Sequence, residues 1–404
     1  MRRLVPIALI VVGLGFVIIG LLAGLFYLGL PVVSPDAQFD LLQINTVAVS
    51  VLAVSGLAGA IMAWIGWRRY SGVRSVVARL PGPWWFALLF VLALGLGELV
   101  LGTRVAPWIF PPLHVLASVA PPLFFLTLAA TLARPSGVIV QRRDLMLQVA
   151  GGAVFATGLA LVIEVVAVVV LLVAAALIIT LTPGGSERLQ TLAAQLSQPD
   201  ILRDPVFLQS LLNSPLVLIG AGGVIAVAAP LIEEFSKSVG VLIFGASRRH
   251  FLPAEAFLWG VAAGAGFAMT ETMFNTVSAL PAWGAPVTMR AATAVVHCLA
   301  AGLMGLGWQA WFSGARRWRL ATYYALAVAI HGLWNAVAAL ASAMQLQGAF
   351  NQNLLLGAGG VLLMFALGGL FIINSGLFVY FSRRLGQAPV EVWAPLSPDV
   401  PLER

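Results

Sequence analysis

Long apolar runs broken by short polar stretches organise this chain from end to end. Hydrophobic blocks fall at roughly 4–30, 47–67, 84–103, 113–133, 145–182, 215–245, 254–279, 287–313, 320–343 and 353–382. A helix of about 20 apolar residues spans a bilayer. The pattern therefore predicts an all-α fold, a polytopic integral membrane bundle of about ten transmembrane helices. The fifth block is long enough for two short spans, but no turn signal interrupts it, so one long helix is expected there. The first block follows Arg2 and Arg3 and resembles a signal peptide. Its apolar run is too long for a usual h-region, and no small-x-small cleavage site follows, so it reads as a retained first span.

Composition agrees with this pattern. The chain has 404 residues, 61% hydrophobic and only 9% charged, where a soluble protein carries about a quarter charged residues. A net charge of +7 raises the question of nucleic acid. The arginines, however, stand in small clusters between apolar blocks, without the continuous basic stripe of a nucleic-acid face. With ten spans and a cytoplasmic N-terminus, most of them (among them Arg68, Arg69, Arg74, Arg79, Arg142, Arg143, Arg316, Arg317, Arg319, Arg383 and Arg384) fall on one side. The other side receives only Arg104, Arg188, Arg203 and Arg290. This positive-inside bias places both termini in the cytoplasm. The one cysteine, Cys298, excludes an internal disulfide and a multi-cysteine metal site.

The domain organisation follows. Residues 1–182 hold the first five helices, and 183–214 form an extracytoplasmic connector with an amphipathic stretch from Leu189 to Leu196. Residues 215–343 form the polar core of helices six to nine, 344–384 the tenth helix, and 385–404 a disordered cytoplasmic tail.

Polar chemistry concentrates in that core. Lys237 is the only lysine of the chain, and it lies in an apolar segment just behind Glu233 and Glu234. A charge in mid-bilayer costs at least about 2.5 kcal/mol, so three ionisable groups within five positions mark a functional site. The next three blocks carry Glu271 with Asn275, then His297, then His331 with Asn335. Glu233 and Lys237 are four residues apart on a helix and Glu234 and Lys237 three, so the ammonium reaches either carboxylate. Two adjacent carboxylates in a low dielectric need such a cation before both ionise. Glu271 and Asn275 share a face, as do His331 and Asn335. Glu98 and Glu164 read as helix-packing groups, and His114 and His250, at block ends, carry little functional weight.

Glu233-Glu234-x-x-Lys237 resembles the EExxK motif of the PrsW family of intramembrane proteases, and Phe267-x-x-x-Glu271 resembles that family's second motif. His297 and His331 stand where its two histidine-bearing helices follow, and the similarity covers about residues 215–343. The family is related to the CAAX prenyl endopeptidases, which use histidine where this chain has Glu271.

The resemblance implies a multi-pass protein of the plasma (inner) membrane that cuts a membrane-protein substrate, such as an anti-sigma factor or other signalling protein. In the working assignment Glu233 or Glu234 is the base on water, and Lys237 holds the other carboxylate ionised. His297 and His331 polarise the carbonyl or hold the water, Asn335 donates its amide, and Glu271 is a second acid/base or ligand. Glu234, Glu271, His297 and His331 are also candidate ligands for zinc. No HExxH helix is present, and Lys237 opposes a nearby cation, so metal-independent hydrolysis is the preferred version. A proton-coupled transporter and a non-catalytic membrane scaffold are the alternatives from other classes.

Overall fold

The computed structural model describes residues 4–34, 40–136, 140–198, 201, 204–247, 251–314 and 317–387. Twelve long or mid-length helices follow one another: α1 (Leu4–Val33), α2 (Leu41–Tyr70), α3 (Pro83–Thr103), α4 (Pro107–Ala133), α5 (Arg142–Thr180), α6 (Gly185–Leu196), α7 (Pro205–Leu212), α8 (Pro215–Ser247), α9 (Pro253–Thr276), α10 (Gly284–Phe312), α11 (Arg319–Phe350) and α12 (Leu354–Gln387). Among the described residues β structure is limited to one isolated bridge between Val77 and Gln141. The helix starts carry local signals. Asp40 accepts from the amides of Leu42 and Gln43, Asp204 from Val206 and Ser214 from Val217, while Pro83, Pro205, Pro215 and Pro253 open their helices.

The fifth block is a single helix, as expected. The count of apolar helices stands close to the ten spans expected. Nine described helices are long and apolar enough to cross a membrane, and the block at 254–279 falls outside that group. It forms α9, whose alanines, glycines, threonines and glutamates lower its apolarity. Twenty of its 24 residues are buried in protein, so lipophilicity is not demanded of it. The last helix runs to Gln387, past the expected start of the tail. The rest of the tail, and His250, lie outside the described residues.

The chain divides into two compact units, one of residues 1–157, 234–327 and 373–404 and one of 158–233 and 328–372. In the first unit α9 is enclosed by α4, α5 and α10. Glycines set how closely these helices approach. A Cβ on Gly264 would lie 2.4 Å from the His297 carbonyl, one on Gly260 2.0 Å from that of Ala301, and one on Gly266 2.0 Å from that of Val149. Small residues of this kind let helix backbones touch where lipid offers no hydrophobic drive. Beside this core, Phe110, Ala117, Leu280, Trp283 and Val287 form a separate apolar cluster.

Among the described residues three π turns interrupt the helices, at Leu52–Leu57, Gly151–Ala156 and Val224–Ala228. A π turn shifts the backbone ladder by one residue and releases a carbonyl, which in hydrocarbon must find another donor. Thr157 Oγ1 donates to the Gly152 carbonyl at 3.0 Å, and Thr270 Oγ1 of α9 to that of Ala153 at 2.8 Å. In the second unit Pro230 follows the third π turn and brings no N–H of its own. There Asn335 Nδ2 donates to the Ile225 carbonyl at 3.1 Å. Gly332 lets α11 come close, since a Cβ on it would lie 2.4 Å from the Ala226 carbonyl.

Candidate active site

In the first unit the second half of α8, α9 and α10 bring four of the expected residues together. Lys237 is fully buried, and its Nζ lies 2.7 Å from Glu234 Oε1, one helical turn back. The same nitrogen is 2.8 Å from His297 Nδ1 on α10. The far side of that imidazole, Nε2, is 2.9 Å from Glu271 Oε2 on α9. A continuous chain, Glu234–Lys237–His297–Glu271, results. An ammonium only donates, so Nδ1 of His297 is the acceptor and Nε2 carries the proton that Glu271 accepts. Both ring nitrogens are therefore engaged.

Two residues complete this cluster. Arg290, two turns before His297 on α10, places Nη2 2.5 Å from Glu271 Oε2 and 3.5 Å from His297 Nε2. Phe267, one turn before Glu271, lies under the ammonium with its centroid 4.2 Å from Lys237 Nζ, and packs on the His297 ring at 5.6 Å. The cation–π contact and the two hydrogen bonds hold Lys237 from three sides. With His297 neutral, the two carboxylates balance the lysine and the arginine, which is how this many charges are tolerated in a buried place. Exposure is graded along the chain of contacts. The side chains of Glu234, Lys237 and His297 are closed off, Glu271 is 22% and Arg290 18% exposed, and Asn275, donating to Glu271 Oε1 at 3.2 Å, is exposed.

In the second unit Glu233 and His331 are buried together, with His331 Nε2 3.8 Å from Glu233 Oε2. Asn335 lies one turn beyond His331, and one of its amide protons is committed to Ile225, a structural duty absent from the sequence expectation. Glu234 and His297 in the first unit and Glu233 and His331 in the second are all buried, and carboxylates and imidazoles are donors of the type that zinc takes.

The remaining ionisable residues divide differently. Glu98 is exposed, its carboxylate beside Gly284 at the start of α10, and Glu164 is partly buried in α5. His114, which the sequence left with little weight, is completely buried in the first unit. Its Nε2 donates to the Met273 carbonyl at 3.0 Å and its Nδ1 accepts from Trp283 Nε1 at 2.9 Å. These partners make it a structural histidine that ties α4 to the end of α9. Arg290 was missed as a site residue because its place near a block end suited a topology marker. Its spacing of seven residues from His297, two turns along one face, is the signal that could have found it.

A family model described as PrsW family intramembrane metalloprotease matches residues 191–370. No curated protein and no solved structure matches the chain.

Proposed function

Taking residues 191–370 as a PrsW-family region, we propose that the chain is an intramembrane peptidase that hydrolyses a peptide bond in a membrane-associated protein through carboxylate-activated water. The observation that carries this reading is the buried chain from Glu234 through Lys237 and His297 to Glu271. A packing motif has no use for four ionisable groups in series, whereas hydrolysis needs a base, a proton donor and polarising groups held at fixed distances.

Roles follow from the contacts. Lys237 is committed to Glu234 and keeps that carboxylate ionised. Glu233, next in sequence and beside His331, is assigned as the general base on water. His331 holds that water or the scissile carbonyl, since both nitrogens of His297 are already engaged. The second amide proton of Asn335 is the further donor. Glu233, protonated in that attack, passes the proton to the leaving amine, while Glu271 stays ionised and holds the proton of His297 on Nε2. His297 and Arg290 position Glu271.

The family description favours a second version, with zinc. Glu233, Glu234, His297 and His331 suit zinc in donor type, and they would be its ligands. Bound zinc would polarise the carbonyl and acidify a water. For His297 to serve, Lys237 or Glu271 must release a ring nitrogen.

The test compares membrane proteomes of cells making the wild-type chain with cells making Glu233→Gln or Glu234→Gln. The expected result is a truncated membrane protein present only with wild type. Identical fragment patterns would sink the peptidase reading in favour of a transporter or scaffold. Cleavage by purified protein that stops with chelator and returns with zinc would select the metal version.

A further inference from the structure

The segment after α5 carries a feature independent of the peptidase reading. α5 ends at Thr180 and α6 begins at Gly185. The turn between them needs glycine twice. Gly184 has φ +68, in the left-handed region, and a Cβ on Gly185 would lie 1.7 Å from the Ile179 carbonyl. The Gly185 amide also donates to the Thr182 carbonyl at 2.9 Å. The chain thus turns on the last carbonyls of α5, and α6 starts directly after the exposed apolar run of that helix, which ends at Leu181.

The residues of α6 separate cleanly by face. Leu189, Leu192, Ala193 and Leu196 recur at three, four and seven residues and make one apolar stripe. Glu187, Thr191 and Gln195 lie on the other side. Leu192 is 39% and Leu196 52% exposed, so the protein leaves the second half of the stripe partly uncovered. An amphipathic helix tethered this tightly to the end of a span has the bilayer as its nearest apolar partner.

We propose that α6 lies in the headgroup–acyl boundary of the membrane, with its leucine stripe among the acyl chains and its polar face in water. Glu187 and Arg188 cancel in charge, so the attachment rests on apolar contact and not on anionic lipid. This differs from the basic amphipathic helices that read lipid charge.

The test uses the full chain in phosphatidylcholine vesicles with single spin-labelled cysteines introduced in turn at 187–196. Cys298 is buried, which directs labelling to the new site. Relaxation by lipid-soluble oxygen should peak at 189, 192 and 196, and relaxation by a water-soluble nickel chelate at 187, 191 and 195. Added phosphatidylglycerol or high salt should leave the pattern in place. Uniform access to the nickel chelate would overturn the proposal, placing α6 in water. Shielding of the stripe from both reagents, with spin–spin broadening that grows with protein-to-lipid ratio, would overturn it in favour of a second copy of the chain. A pattern lost at high salt would overturn the apolar attachment.

Discussion

Two completely buried histidines in the same unit have opposite surroundings. His114 sits among Phe110, Trp283 and the α9 terminus, its ring nitrogens satisfied by a backbone carbonyl and an indole N–H. His297 sits between an ammonium and a carboxylate, with a guanidinium alongside. Burial and hydrogen bonding are complete in both, so neither criterion separates structure from chemistry. Partner charge does. A histidine held by neutral groups fixes one packing arrangement, whereas one held between opposite charges can answer a change at either end.

The largest effect that could break this contrast comes from Lys237→Met. It leaves the Glu234 carboxylate buried without its cation, a change of about 3–5 kcal/mol in stability. Unfolding followed in detergent should show that loss together with abolished cleavage. An unchanged midpoint would show that the carboxylate is not held by this charge.

Exchange of each histidine for glutamine sharpens the contrast directly. His297→Gln is expected to lower cleavage per folded molecule by about 10²- to 10⁴-fold while the unfolding midpoint stays near wild type. His114→Gln should do the reverse, costing about 1–3 kcal/mol of stability with cleavage per folded molecule retained. Equal losses of activity in the two variants would erase the distinction.

The smallest effect is expected at the rim. Asn275→Ala removes an exposed hydrogen bond to Glu271, worth under about 1 kcal/mol, and should change kcat by less than about tenfold. A larger drop would mean that the working network extends to the surface.

Contacts within one helix could be read from the sequence, and contacts between helices could not. Spacing alone anticipated the Glu234–Lys237 pair and the Glu271–Asn275 hydrogen bond, because three or four residues on a helix always meet. The link from Lys237 to His297 depends on the relative height of two helices, which no periodicity encodes. Phe267 was visible as part of a motif, yet its contact with Lys237 needs the α8–α9 geometry. The membrane fold was plain in the apolar blocks. α9 stands apart from the other spans in apolarity alone, because a helix surrounded by protein is released from the lipophilicity that marks its neighbours. The π turns left no trace, since Gly151–Ala156 and Val224–Ala228 read as ordinary apolar helix.

The hydrogen bond from Thr270 to the Ala153 carbonyl has a metric consequence. The π turn in α5 offers that oxygen at one height only, so it acts as a graduation mark against which α9 is indexed. A slip of α9 by one residue would carry Thr270 about 1.5 Å along the axis and about 100° around it, and the mark would go unread. Glu271 is the very next residue. The height of a carboxylate in the membrane is thus gauged by an irregularity in another helix.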